Sequence, residues 1–274
     1  MNKRALNDDY RALKSNLRIN CKDCSGLCCV ALYFNQSDGF PENKKAEKPC
    51  VNLNNDYTCK IYTQLESKGL KGCIAYDCFG AGQKVTQEWK SKGTWNSNNL
   101  IKQDIFKSFE MNQLLNQIMW YLLEAYTICD DSDINRIKHL ILENINYTKK
   151  EPKELLSCEI ETYRTNVNVE LKQLTMKIAK LSKNKIDSKF QFEKDYSNQD
   201  LSYMDFTMAY LIGSNLDGCK LRYTNFLGTD LRDVSIKNTD LSESIFLTQF
   251  QVNSMLGNKH TLLPDGLTYP SRWL

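Results

Sequence analysis

Histidine is nearly absent. The 274 residues hold only His139 and His260, and neither is close in sequence to the stretch where cysteines gather. A catalytic zinc ordinarily has histidine among three protein ligands and keeps its fourth position open, so that kind of hydrolytic centre is not expected. Long apolar runs are missing too: none approaches the ~20 residues of a membrane span. An excess of one charge is lacking as well. Thirty-six basic and 33 acidic side chains leave a net +3, too little to imply a nucleic-acid or membrane surface. Met1 to Asn20 is largely polar and has no apolar signal-peptide core. A cytoplasmic chain with reduced thiols is therefore expected.

Cysteine, by contrast, is abundant and unevenly placed. Eight of eleven lie between residues 21 and 78: Cys21, Cys24, Cys28, Cys29, Cys50, Cys59, Cys73 and Cys78. In a secreted chain eight such cysteines read as disulfides; in the cytoplasm they read as a metal site. The two-residue gap from Cys21 to Cys24 lets both sulfurs reach one tetrahedral ion. Cys28 and Cys29 are adjacent, and in an extended stretch adjacent side chains face opposite ways. They are expected to serve two metals, or two edges of one cluster, and eight sulfurs would complete two four-cysteine sites. Apolar residues are scattered through 21–85 without a long period, so the segment is expected to fold on its metal, since structural zinc contributes on the order of 10 kcal/mol. Gly80-Ala81-Gly82 is too short for a phosphate-cradling loop.

The run Cys21 to Cys29, then Pro49-Cys50-Val51-Asn52-Leu53, Cys59-Lys60-Ile61-Tyr62 and Cys73 resembles the bacterial YkgJ cysteine-cluster family over about 60 residues. That resemblance implies a zinc- or iron-chelating segment. Cys78, within Tyr76-Asp77-Cys78-Phe79-Gly80, is additional and leaves the ligand count open. Thiolates suit both zinc and iron–sulfur. Zinc, in two ions, is the expected cofactor, with an iron–sulfur cluster as the alternative.

Further along, residues 1 to 20 carry Tyr10, Leu13 and Leu17 at helical spacing, a lead-in helix expected to pack on the cysteines. Residues 86 to 98 read as a linker whose Trp89 and Trp95 dock on a neighbour. From Leu100 to Ile128 apolar residues are dense. Asp131 or Ser132 can cap a second helix running to about Tyr147, and Pro152 fits the first turn of a third. That third helix carries Ile160, Val167, Leu171, Leu174, Ile178 and Leu181 on one seam, giving a three-helix bundle. His139 falls in the second helix and reads as a surface residue, and Cys129 and Cys158 read as packing residues.

From 194 to 246 the chain repeats every five residues. Large apolar side chains stand at Leu201, Phe206, Leu211, Leu216, Leu221, Phe226, Leu231, Ile236, Leu241 and Phe246, ten in phase. Two residues earlier stand mostly small ones: Ala209, Ser214, Cys219, Thr224, Thr229, Val234, Thr239 and Ser244. Neither a helix nor a flat strand has this period. It resembles the pentapeptide-repeat family, which implies a right-handed quadrilateral β-helix with both positions pointing inward. Gln199 and Met204 break the small-residue rule, so the first coil is expected to be irregular or covered. Thr248 and Gln251 form a capping-box pattern, with a helix to Met255, Gly257 as its C-cap, a turn at Pro264-Asp265-Gly266, and Trp273 tucked on the last coil. His260, in this cap, also reads as a surface residue.

The expected architecture is a multi-part α+β chain: a metal-stabilised cysteine module at 1–94, helices at 95–188, the pentapeptide β-helix at 189–247 and a helical cap at 248–274. The expected function is non-enzymatic: metal binding, with the repeat rod presented to a protein partner. An iron–sulfur redox or metal-transfer enzyme is the alternative. DNA mimicry against a topoisomerase fits poorly. Fewer than three coils at ~4.8 Å each make a rod of roughly 13 Å, and Asp195 to Phe250 carries eight acidic and four basic residues, a net of only −4.

Overall fold

The computed structural model describes residues 3–182 and 190–274. The chain divides by compactness into two units, Met1–Val169 and Glu170–Leu274. Of the four segments read from composition, 95–188 is cut by the boundary at 169/170, inside the helix Glu161–Ala179, and the 188/189 division lies outside the described residues.

The first unit is built on one long helix. Before it come α1 (Asp8–Asn16), α2 (Leu27–Ala31), α3 (Lys71–Ala75) and α4 (Ala81–Trp89). The long helix, α5 (Asn99–Ile128), starts where the Asn98 side chain accepts the Ile101 N–H. Its 30 residues span ~45 Å, and it is buried on several sides, including Ile105, Phe109, Leu115 and Leu122. It also carries the buried polar residues Ser108, Asn112 and Asn116, which a helix interior tolerates only if they find partners. Ser108 receives the Trp89 indole N–H at 3.2 Å, and the Asn116 amide donates to the Phe79 carbonyl at 2.8 Å. From α6 (Ile134–Thr148), Asn144 donates to the Leu115 carbonyl at 3.0 Å. These polar groups tie the start and end of α4, and α6, to the spine.

Several expectations are corrected here. The lead-in helix α1 sends Tyr10 edge-on to Tyr126 and Lys14 over Trp120. Both are on α5, and the end of α1 reaches the cysteine segment, where the Asn16 carbonyl lies against Gly80. Residues 86–89 close α4 and are not linker, although both tryptophans dock as expected: Trp95 donates to the Ser25 carbonyl at 2.8 Å. Neither Asp131 nor Ser132 caps α6. Its N-cap is Asp133, and Asp130 instead accepts the Ser132 and Asp133 N–H groups. The third helix is broken into α7 (Pro152–Leu156) and α8 (Glu161–Ala179). Ile160, Val167, Leu171, Leu174 and Ile178 are buried as the seam requires, whereas Leu181 is 54% exposed.

In the second unit, parallel bridges join residues twenty apart: Phe190 to Tyr210 to Asp230, and Asp205 to Asn225 to Ile245. Twenty residues make one coil of four five-residue sides. The repeat register of a β-helix is thus present, but its pairs are isolated bridges and no continuous strands form among the described residues. All ten central side chains are buried, at 0–2% exposure. The small position has a reason beyond size. Thr224, Thr229, Thr239 and Ser244 each donate their hydroxyl to a carbonyl one coil earlier, those of Leu201, Phe206, Leu216 and Leu221. Cys219 does the same with its thiol, to the Tyr196 carbonyl at 2.9 Å. Each of these carbonyls also accepts the N–H three residues on, so the small side chain supplies a second donor that ties one coil to the next without displacing the core.

The first coil is regular, not irregular. Gln191 and Tyr196 fill central slots before Leu201, and the Tyr196 hydroxyl bonds Gln191 at 2.6 Å. Met204 is buried in the small slot while Gln199 is exposed. At the far end, α9 (Gln249–Ser254) begins with the expected capping box of Thr248 and Gln251. The Gln251 amide also donates to the Phe226 and Thr229 carbonyls. Gly257 does not cap this helix, which ends at Met255. A Cβ on Gly257 would stand 2.7 Å from the Trp273 ring, so the glycine is there to admit the tryptophan. Trp273 is buried as expected.

Candidate metal centre

Short elements bring the eight cysteines of residues 21–78 into one region of the first unit. Cys21 opens a 3-10 turn at Cys21–Asp23, whose Asn20 N–H is accepted by the Gln83 side chain of α4. Cys28 and Cys29 are consecutive residues of α2. The extended geometry assumed for them is therefore wrong, and helical neighbours point only about 100° apart. Their sulfurs are 4.0 Å apart. Cys50 is fixed by its N–H to the Cys29 carbonyl at 2.9 Å. Cys59 pairs with Leu53 across a small hairpin, Cys73 lies in α3, and Cys78 precedes α4. Seven of the eight are half-buried, and Cys21 is exposed.

One of these sulfurs accepts a peptide N–H within hydrogen-bond distance, Cys50 from Asn52 at 3.5 Å. Nearby peptide N–H groups pull three others toward the thiolate: Leu27 and Gly26 at Cys24, Gly82 and Gly80 at the opening of α4 at Cys78, and Ile61 at Cys59. The thiolate is the form that ligates a metal.

Burial acts in the opposite direction. It pushes the Cys78 and Cys73 thiols up to about 12, and neighbouring thiolates add to the rise at Cys73. Cys28 is raised by donating its thiol to Cys29, and Cys29 is lowered by accepting it, helped by Lys44. Without a cation the pocket therefore holds its sulfurs largely as thiols, while its peptide dipoles are set for thiolates. A thiophilic dication reconciles the two, so the donor set fits one. Among the described residues, no three His, Cys, Asp or Glu side chains stand close enough to hold an ion as they are placed.

Two further residues belong to this region and gave no signal in the sequence. Lys44 is half-buried and donates to the Val30 and Leu32 carbonyls at the end of α2. It also feels the charge of Cys50, Cys29, Cys28 and Cys73. Asp77 is buried, accepts the Phe79 N–H at 2.7 Å, and is raised to about 6 by that burial. His139 and His260 are both exposed, as expected. Cys129 is buried at the end of α5 near the Arg4 guanidinium, and Cys158 bonds the Glu154 carbonyl.

Residues 197–246 match the family of pentapeptide repeats, in eight copies. Over 265 residues the chain is 35% identical to "Uncharacterized protein YybG" of Bacillus subtilis (strain 168), covering 94% of this chain and 95% of that protein. No solved structure matches. The chain thus carries pentapeptide repeats at 197–246, and by a likeness that runs nearly from end to end it belongs to the same family as YybG.

Proposed function

We propose that this protein binds metal without catalysing a reaction, and that its repeat rod serves as a platform for a protein partner. The cysteine segment, similar in its spacing to the YkgJ family, holds zinc through Cys21, Cys24, Cys28, Cys29, Cys50, Cys59, Cys73 and Cys78. The observation that carries this is the gathering of these cysteines, with the Cys28 and Cys29 sulfurs 4.0 Å apart and the Cys24 and Cys78 sulfurs meeting beside Gly82. Bound zinc would supply the positive charge these buried sulfurs lack. The rod's part rests on its buried, close-packed interior, which leaves only its outer faces free to recognise anything. DNA mimicry gains no support. The bridge ladder has three or four levels on each face, roughly 14 Å at ~4.8 Å per level. Metal analysis of protein purified anaerobically and without an affinity-tag metal decides the reading. Tightly held zinc is expected; protein free of metal, with all eight thiols open to alkylation, would end it. Iron with sulfide and a visible absorption band would replace it by a redox reading.

A further inference from the structure

On the metal reading just given, we infer that the eight cysteines form two separate four-sulfur sites for thiophilic dications: Cys21, Cys24, Cys28 and Cys78 against α4, and Cys29, Cys50, Cys59 and Cys73 beside Lys44. The grouping comes from packing. Cys24, Cys28 and Cys78 lie against one apolar core with Leu27, Val30, Ala81 and Val85, whereas Cys73 lies against another, of Phe34, Phe40 and Leu70.

Packing supports both groups. Gly82 has an ordinary φ, yet a Cβ there would stand 2.7 Å from the Cys24 sulfur and 3.6 Å from that of Cys78. Glycine at this position keeps open the space in which those two sulfurs meet. Cys21 joins them because its 3-10 turn is bonded to α4 through Asn20 and Gln83, and Cys24 is the first thiolate whose charge it feels. In the second group, Cys50 is bonded to the Cys29 backbone, and Leu53 bonds the Cys50 carbonyl at 3.0 Å. The same Leu53 pairs with Cys59, so one hairpin carries both Cys50 and Cys59. Cys73 and Ile61 pack on one small core of Phe34, Phe40 and Leu70. The 4.0 Å between Cys28 and Cys29 is the seam between the sites.

The two sites differ in what offsets their charge. Four thiolates and a dication carry two net negative charges. At the first site the offset comes from peptide N–H groups: Gly26 and Leu27 on Cys24, and Gly80 and Gly82, at the positive end of α4, on Cys78. At the second it comes from the Lys44 ammonium, which is also tied to the end of α2 and so is held in place. The sites are therefore expected to differ in affinity and to empty one at a time.

The test uses the full-length, unmodified chain, purified anaerobically and loaded with Zn(II). A chelator is titrated in while metal content is read by native mass spectrometry and freed thiols by alkylation and peptide mapping. Two ions per chain are expected, lost in two steps. Cys21, Cys24, Cys28 and Cys78 should become labelled with one ion, and Cys29, Cys50, Cys59 and Cys73 with the other. Cys24→Ser/Cys78→Ser should keep one ion and Cys73→Ser/Cys78→Ser none. Lys44→Ala should weaken only the second site, by roughly ten- to a hundred-fold. One ion per wild-type chain, or two ions whose loss labels the cysteines in another grouping or all eight at once, overturns the partition and leaves zinc binding standing. A chain that takes up no metal removes zinc binding and the partition together. Because the labelling needs no variant, a poorly folding mutant does not cloud the result.

Discussion

Replacing Leu216 with alanine tests the register of the rod. Leu216 is wholly buried, and twenty residues before and after it, one coil away on either side, the same central slot holds Tyr196 and Ile236. A close-packed interior cannot collapse onto the missing atoms, because the coils above and below are held by their own bridges. A core Leu→Ala change costs about 2–5 kcal/mol. In a unit of about 100 residues each kcal/mol moves the melting temperature by roughly 4–8 °C, so a fall of ~8–40 °C is expected. Amide exchange across the repeats should quicken by roughly thirty- to a few thousand-fold if those amides exchange by opening of the whole unit. Leu227 is the matched control. It follows the central Phe226 by one residue and is only half-buried, so alanine there should cost about 1 kcal/mol or less. Calorimetry, with hydrogen exchange to assign each transition, reads both variants. Equal losses at Leu216 and Leu227, or no loss at Leu216, would refute the register. Leu216→Asp goes further, since an unpaired carboxylate in this core should leave the repeats unfolded.

Gly228→Ala should cost about 1–2 kcal/mol, because Gly228 sits at a corner with φ +64°; an unchanged melting temperature would show the corner to be relaxed. Gly257→Ala should cost ~1–3 kcal/mol by overpacking against Trp273, and Gly257→Ala/Trp273→Leu should recover part of that in the same assay. In the metal-free protein, the thiols of Cys73 and Cys78 rise from their ordinary 9.0 to about 12. The fold thus keeps protons that the unfolded chain releases first, and stability that is full below pH 9 should fall between about pH 9 and 12; denaturant melts that improve over this range would reverse the sign. The same protons must leave when metal binds, so zinc affinity should climb with pH from 6 to 9, read by chelator competition. After chelation, trypsin should cut first at the exposed Lys45, Lys60 and Lys68, with residues 190–274 left intact; first cuts within α5 would be the contrary result.

The rod was legible because its rule is local. Every fifth side chain enters the core, and ten in phase cannot arise from another element. What escaped was the pair of units before Leu201, where Gln191 and Tyr196 occupy central slots. A buried glutamine looks wrong for such a slot until the Tyr196 hydroxyl that satisfies it is seen. Gly257 was misread for a similar reason: its partner Trp273 is sixteen residues away, and no local pattern reports that. In the first unit the cysteines announced themselves, but their surroundings did not. Lys44 looks like any lysine of a Lys-Lys pair, and only the fold carries it to the end of α2. The Cys28–Cys29 argument began from an extended backbone, and the helix found there removes that premise.

The cysteine segment was expected to depend wholly on metal because its apolar residues show no period. The structure divides that dependence. Leu27 and Val30 of α2 are fully buried together with Ala81, Val85 and Trp89 of α4 and with Ile105, Phe106 and Phe109 of α5. Each such aliphatic or aromatic side chain is worth about 1.5–3 kcal/mol when buried, so these parts have an apolar reason to stay in place without an ion. The stretch from 41 to 68 has weaker anchors: most of its residues are exposed, as are all its lysines but Lys44. It is fixed by turns, by Lys44 at the end of α2, by the Cys50 N–H, by the partly buried Leu53, Ile61 and Leu65, and by whatever its two cysteines bind. Metal therefore contributes most where apolar burial contributes least. Cys24, Cys28 and Cys78 lie on or beside elements that the core already holds, whereas Cys50 and Cys59 lie on the hairpin that it does not. A site completed by Cys50 and Cys59 must order that hairpin as it forms, and this ordering draws on the free energy of binding. A site completed by Cys24, Cys28 and Cys78 meets sulfurs that are already positioned. The site beside Lys44 should accordingly be the weaker of the two and the first to empty.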